Sequence, residues 1–209
     1  MKRLLVYGGL VAGVILVAFG IASIVLGISG RNEVTNDLKQ EKIVGSADMT
    51  PQTIRAAAQK AGLQGVPLPS CTVANQSVNS GSSAKCFAQY MRVHALLGTG
   101  GKLFSQMPQY ATADGAGTND PTQAVQQNGK PASNPARTVW VTYTALSGAL
   151  NMAYFAEQVG LFSIIMGIAL LLTGIGLVVL DLALLARSAT PKEAKAAGGA
   201  AQPARPAPA

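Results

Sequence analysis

Two long stretches without a charged residue decide most of what this chain can become. Leu4 to Gly30 is 27 uncharged residues, and Gln158 to Leu180 is 23. A bilayer core of about 30 Å needs roughly 20 helical residues. Both stretches are long enough, and no stretch between them is both long and apolar enough. The whole chain is 49% hydrophobic and 12% charged, which is apolar for a soluble domain. The pattern predicts an all-α integral membrane protein with transmembrane helices over 4–30 and 158–186.

The flank Met1-Lys2-Arg3 suits the start of a signal peptide. The apolar run behind it is about twice the usual length, however, and no A-x-A cleavage site follows. An uncleaved signal anchor is expected. No cysteine stands close behind the run, so no lipoprotein attachment site is read. Lys2 and Arg3 precede the first span, and Arg187, Lys192 and Lys195 follow the second. The positive-inside rule then puts residues 1–3 and the tail 187–209 in the cytoplasm and residues 31–157 outside. The outer segment holds 10 basic and 7 acidic residues. Long loops translocate largely regardless of charge, so this mild excess does not oppose the assignment. The net charge of +7 needs no nucleic-acid partner to explain it. The expected location is the plasma membrane.

Cys71 and Cys86, the two cysteines, both fall in the exported segment, where oxidation is permitted. One intramolecular bridge is expected, with free thiols or a bridge between chains as the alternatives. A metal site is not, since neither a C-x-x-C pair nor a histidine cluster is present.

Local signals divide the outer segment. The stretch after Gly30 has Val34, Leu38 and Ile43 at roughly helical spacing and no proline, so one helix is expected over 4–43. Thr50-Pro51 reads as a helix start, with the helix stopping at Gly62. A Pro-, Ser- and Asn-rich loop follows, and Ser83 is the expected cap of a helix ending at Gly98. A short helix is expected after Asp120-Pro121. Asn134-Pro135 starts the last helix, which has no proline through Ala186 and should run into the second span unbroken. Trp140 stands about 25 Å above Glu157 along such a helix, too high for an interfacial belt, so it should pack in the outer core. Tyr154 and Phe155 are better placed for the belt. The tail beyond Arg187 is low-complexity Ala, Pro and Gly and is expected to be disordered.

The spans share one feature. Gly13, Gly20 and Gly27 fall seven apart, and so do Gly160, Gly167 and Gly174. Run antiparallel, the two helices pair Gly27 with Gly160, Ser23 with Ser163, Gly20 with Gly167 and Gly13 with Gly174. Small residues let membrane helices approach closely, and a seven-residue repeat keeps them on one seam. The expectation is a tight hairpin within one chain. The alternatives are a chance match and the same faces joining two chains. In the hairpin register Arg31 falls beside Glu157 at the outer boundary. Asp181 falls near Arg3 and Tyr7 at the inner one.

The search for catalytic chemistry returns no candidate residues and no cofactor. His94 is the sole histidine. Ser82-Ser83-Ala84-Lys85 matches S-x-x-K, but its S-D-N and K-T-G companions are missing. Gly98-Thr99-Gly100-Gly101-Lys102 lacks the spacing and hydroxyl of a Walker A loop.

The segments RNEVTNDLKQEKIVGSADMTP, AKCFAQYMRVHALLGTGG and ARTVWVTYTALSGALNMAYFAEQ, with the glycine-bearing second span, resemble a family of uncharacterised actinobacterial two-span membrane proteins. The resemblance covers most of residues 31–185 and implies an envelope location. Its members often carry the label "aromatic ring-opening dioxygenase, LigA". Such enzymes hold iron with histidine and carboxylate ligands, and one histidine cannot supply a two-histidine site. The expected function is a non-enzymatic scaffold or accessory subunit that binds a protein partner, or another copy of itself, through the outer domain. An oligomeric channel and a lipid- or small-ligand-binding module are the alternatives.

Overall fold

The computed structural model describes residues 2–189, with side chains for 4–187. The tail from residue 190 on, expected to be cytoplasmic and disordered, and the side chain of Arg3 lie outside the described residues.

The chain is mostly helical. Helix α1 runs Lys2–Gln40, α2 Pro51–Lys60, α3 Gly81–Gly98 and α4 Pro135–Ala189. Both α1 and α4 are long and apolar enough to cross a membrane. A 3-10 turn, Phe104–Gln106, follows α3. Two short antiparallel strands, β1 Gln126–Gln127 and β2 Lys130–Pro131, pair across Asn128-Gly129. The expectation of an all-α chain is therefore corrected by a small sheet. The helix expected after Asp120-Pro121 is absent. The Asp120 carboxylate instead accepts bonds from the Thr122 backbone and hydroxyl, an Asx turn that competes with helix formation.

Two other boundaries move. Helix α1 stops at Gln40 rather than 43, because Lys42 turns to a positive φ of 51°. Ile43 then leaves the helix, and its carbonyl accepts from the Val78 N–H. Helix α3 begins at Gly81, capped by Ser80 rather than Ser83. Ser83 is the third residue of the helix, and its hydroxyl closes a capping box with Ser80. Thr50 caps α2 by accepting from the Thr53 N–H. Asn134 does the same for α4 at Ala136.

The chain divides into two compact units. One comprises residues 1–24 and 165–209, the other 25–164. In the first, every buried residue among those described is a glycine or Asp181: Gly13, Gly20, Gly167, Gly174 and Asp181. Large apolar side chains point outward instead, with Phe19 63% and Leu172 64% exposed. That inversion suits a lipid surround and not water.

The second unit holds a conventional core. Met49, Ile54, Ala58, Val73, Cys86, Tyr90 and Val93 form its main cluster. Leu38, Val78, Ala84, Ala88 and Leu150 join α1, α3 and α4, and Leu96, Met107 and Trp140 close the far end. Trp140 donates its indole N–H to the Lys102 carbonyl at 2.8 Å, so its single polar atom is satisfied on burial. Residues 43–45 pair with the strand-like stretch 74–78. There is no room for a side chain at Gly45, where a Cβ would overlap the Val73 carbonyl. The sulfurs of Cys71 and Cys86 lie at disulfide distance, with their Cα atoms 6.1 Å apart. Tyr90 is fully buried beside them and donates to the Cys71 carbonyl at 2.6 Å. Burial pushes its phenol above the usual range.

Candidate functional site

Helices α3 and α4 flank a cavity of about 610 Å³ in the second unit. Met49, Phe87, Met91, Ala95, Val139 and Tyr143 supply apolar walls, and His94, Thr138 and Thr142 supply the polar part. Residues 87, 91, 94 and 95 line it because they recur at helical spacing along α3. Residues 135, 138, 139, 142 and 143 do the same on α4.

His94 is the ionisable member of this lining. Its Nε2 lies 2.9 Å from Asp48 Oδ2. The atom is buried, and the approach lacks the alignment of a hydrogen bond. The Ser46 hydroxyl bonds the other oxygen of Asp48. Chiefly that bond, with His94 adding to it, holds the Asp48 carboxyl below the usual range, against partial desolvation.

A second constellation joins three helices. Arg31 Nη2 on α1 meets Glu157 Oε1 on α4 at 3.2 Å. Glu157 Oε2 accepts from the Ser82 N–H in the first turn of α3. A carboxylate there satisfies a free helix donor and favours the positive end of the helix dipole. The close approach needs Gly81. A Cβ there would stand 2.7 Å from Tyr154 Cα and 3.0 Å from the Ala153 carbonyl, and would overlap the Glu157 carboxylate. Lys85 lies over the Tyr154 ring at 4.2 Å. The lysine of the S-x-x-K match is thus a cation–π partner, and Ser82 contributes a backbone donor.

The structure also places the glycine positions. In the second unit a Cβ on Gly27 would stand 2.6 Å from the Gly160 carbonyl oxygen. In the first, a Cβ on Gly20 would stand 2.8 Å from the Gly167 oxygen, and one on Gly13 3.0 Å from the Gly174 oxygen. Ser163 turns its hydroxyl back to the Val159 carbonyl, and Ser23, half-buried, belongs to the first unit. Asp181 is seven residues beyond Gly174, so it occupies the next position of the glycine repeat. It fits because Gly9 leaves a notch: a Cβ on Gly9 would overlap Asp181 Oδ2. Among the described residues that oxygen is buried and has no hydrogen-bond partner. Tyr7, expected nearby, is 58% exposed.

Sequence reasoning missed Asp48 and Gly81, and it noted Gly9 beside the glycine repeat and Ser82 in the S-x-x-K match without the roles they take here. Gly9 had a further signal, since extending the repeat of α4 by one step reaches Asp181. Asp48 and His94 had none, being far apart in sequence. The phosphate-loop hint at 98–102 dissolves into a helix end: Gly100 and Gly101 take positive φ values of 62° and 78°, and Thr99 bonds the Ala95 and Lys102 carbonyls. Among the described residues no group of three or more His, Cys, Asp or Glu could hold a metal. Comparison with models of protein families, with curated proteins and with solved structures finds no match.

Proposed function

We propose that this is a non-enzymatic membrane protein of the cell envelope, a scaffold or accessory subunit that engages a protein partner through its extracytoplasmic unit. Both termini are cytoplasmic in this reading, the membrane is the plasma membrane, and residues 31–157 lie outside. One observation carries the partner assignment. Between Arg137 and Glu157, α4 bears no charge, yet Val141 is 57% and Leu146 37% exposed there. The Arg31–Glu157 pair supplies the charges expected at the outer boundary, and this stretch stands on the water side of it. Apolar side chains shown to water along a helix are what a partner covers. Phe104, also 41% exposed, and Trp140 flank Val141 in a groove of about 440 Å³, with Arg137 over the Phe104 ring at 4.1 Å. Aromatic and arginine side chains of this kind anchor protein interfaces. The resemblance to actinobacterial two-span membrane proteins agrees with the location.

Photo-crosslinking in intact cells tests the reading. A benzophenone amino acid at Val141 should give a discrete adduct, and one at the exposed Lys130 should not. An adduct of twice the protein's mass would make the partner a second copy. No adduct at Val141, or equal adducts at both positions, would remove the reading.

A further inference from the structure

We propose that the cavity between α3 and α4 is a binding site for an uncharged amphiphile, an apolar chain or ring system bearing a hydroxyl group. This goes beyond the partner surface at Val141, which is not among the cavity's lining residues. Volume and walls define the body of the ligand. About 610 Å³ is within the usual range for small-molecule sites. Its Met49, Met91, Phe87 and Val139 walls offer nothing to a charged or strongly hydrated group. Unbranched methionines adapt to irregular apolar shapes.

The polar part defines the head. His94 Nε2 is sealed from water and stands 2.9 Å from Asp48 Oδ2, so the polar side chains open to a ligand are the exposed Thr138 and Thr142. The Thr138 and Thr142 side chains line the same cavity. The Asp48 carboxylate, 2.9 Å from His94 Nε2, opposes a carboxylate or phosphate head by like charge. The apolar walls oppose an ammonium head by desolvation. A hydroxyl both donates and accepts, so it bonds either threonine. A neutral hydroxyl head on an apolar body satisfies each of these conditions.

Trp140 makes the site testable, because it is the sole tryptophan and its ring lies 5.2 Å from that of the cavity-lining Tyr143. The full chain in lipid nanodiscs would be titrated with N-phenyl-1-naphthylamine, an uncharged apolar fluorophore. Energy transfer from Trp140 should saturate, whereas probe dissolved in the lipid gives a linear rise. Thr142→Phe, at an exposed position on the cavity wall, should weaken the saturable phase at least about tenfold while leaving the far-ultraviolet helix signal intact. Monolaurin should displace the probe at least about tenfold better than laurate or dodecyltrimethylammonium. Thr138→Val should narrow that preference at least about threefold and leave probe binding in place. A linear titration, or Thr142→Phe binding as the parent does, would overturn the site. Displacement by laurate as good as that by monolaurin would overturn the ligand class.

Discussion

Glu157 stands 3.2 Å from Arg31 through one carboxylate oxygen and caps α3 at Ser82 through the other. One side chain thus fastens three helices where the charges resume. Glu157→Ala removes both contacts and leaves Arg31 and a helix donor without their partner. The expected loss is about 1–2 kcal/mol, discounted because the Arg31 side chain is 38% exposed. Glu157→Gln keeps an acceptor for Ser82 and should lose less. Thermal unfolding of the two variants in nanodiscs reads the difference. Equal losses would mean that the α3 contact contributes nothing.

The seam separates glycines by position. A Cβ at Gly20 or Gly167 would come within 2.7 Å of backbone on the facing helix, whereas Gly8 and Gly176 have nothing within 4 Å. Gly20→Ile and Gly167→Ile should each cost about 1–3 kcal/mol, the range for overpacking. Gly8→Ile and Gly176→Ile should be near neutral. Resistance to unfolding in detergent measures all four, and four equal effects would contradict the close approach.

Gly9 and Asp181 should behave as a coupled pair. Gly9→Ala drives a methyl group into the Asp181 carboxylate and should destabilise. Asp181→Ala clears the space, so the double variant should recover most of that loss. A double-mutant cycle in which the effects simply add would show that the two sites do not touch.

Acid should weaken the 46–50 segment. The Asp48 carboxyl is held below its ordinary value of 3.8, chiefly by the Ser46 hydroxyl. Its contribution is therefore present above that value and lost as pH falls through the lowered one. Asp48 is half-exposed, so the contribution is small, under about 1 kcal/mol. Asp48→Asn should flatten the decline in melting temperature between pH 5 and about 2. An unchanged acid limb would contradict the assignment.

Reduction should act on the second unit. The two cysteines are 15 residues apart, and a bridge closing such a loop contributes about 3 kcal/mol in the chain-entropy model. Cys71→Ala with Cys86→Ala should lower the unfolding midpoint by a corresponding amount. Protease should then cut first between residues 62 and 80, where turn residues replace helix. A midpoint unmoved by reductant would mean that the bridge is not formed.

The long helices and the facing glycines were legible because each rests on a single periodicity. Freedom from charge over 20 or more residues marks a helix long and apolar enough to cross a membrane, and a glycine on every second turn marks a face open to close approach. The pairing of Arg31 with Glu157 followed from register alone. The start of α3 was less legible. Serines at 77, 80, 82 and 83 offer competing caps, and Gly81 looks like loop until the backbone of α4 is seen against it. The hairpin at 126–131 had the Asn-Gly turn signal. Its flanks are two residues each and polar, so no alternating pattern announced strands. His94 with Asp48, and the cavity beside them, come from tertiary packing that no local signal encodes.

The glycine pairs also set how this chain can diverge. At most packed positions, a larger residue on one side can be absorbed by a smaller one opposite. Gly13 with Gly174, Gly20 with Gly167 and Gly27 with Gly160 have no smaller residue to fall back on. Each pair is already at the floor of side-chain size on both sides and meets backbone across the seam, so no change at the partner glycine can rescue the first. Descendants of this sequence can vary the outward-facing residues more freely, but each of these pairs can only be kept or abandoned together.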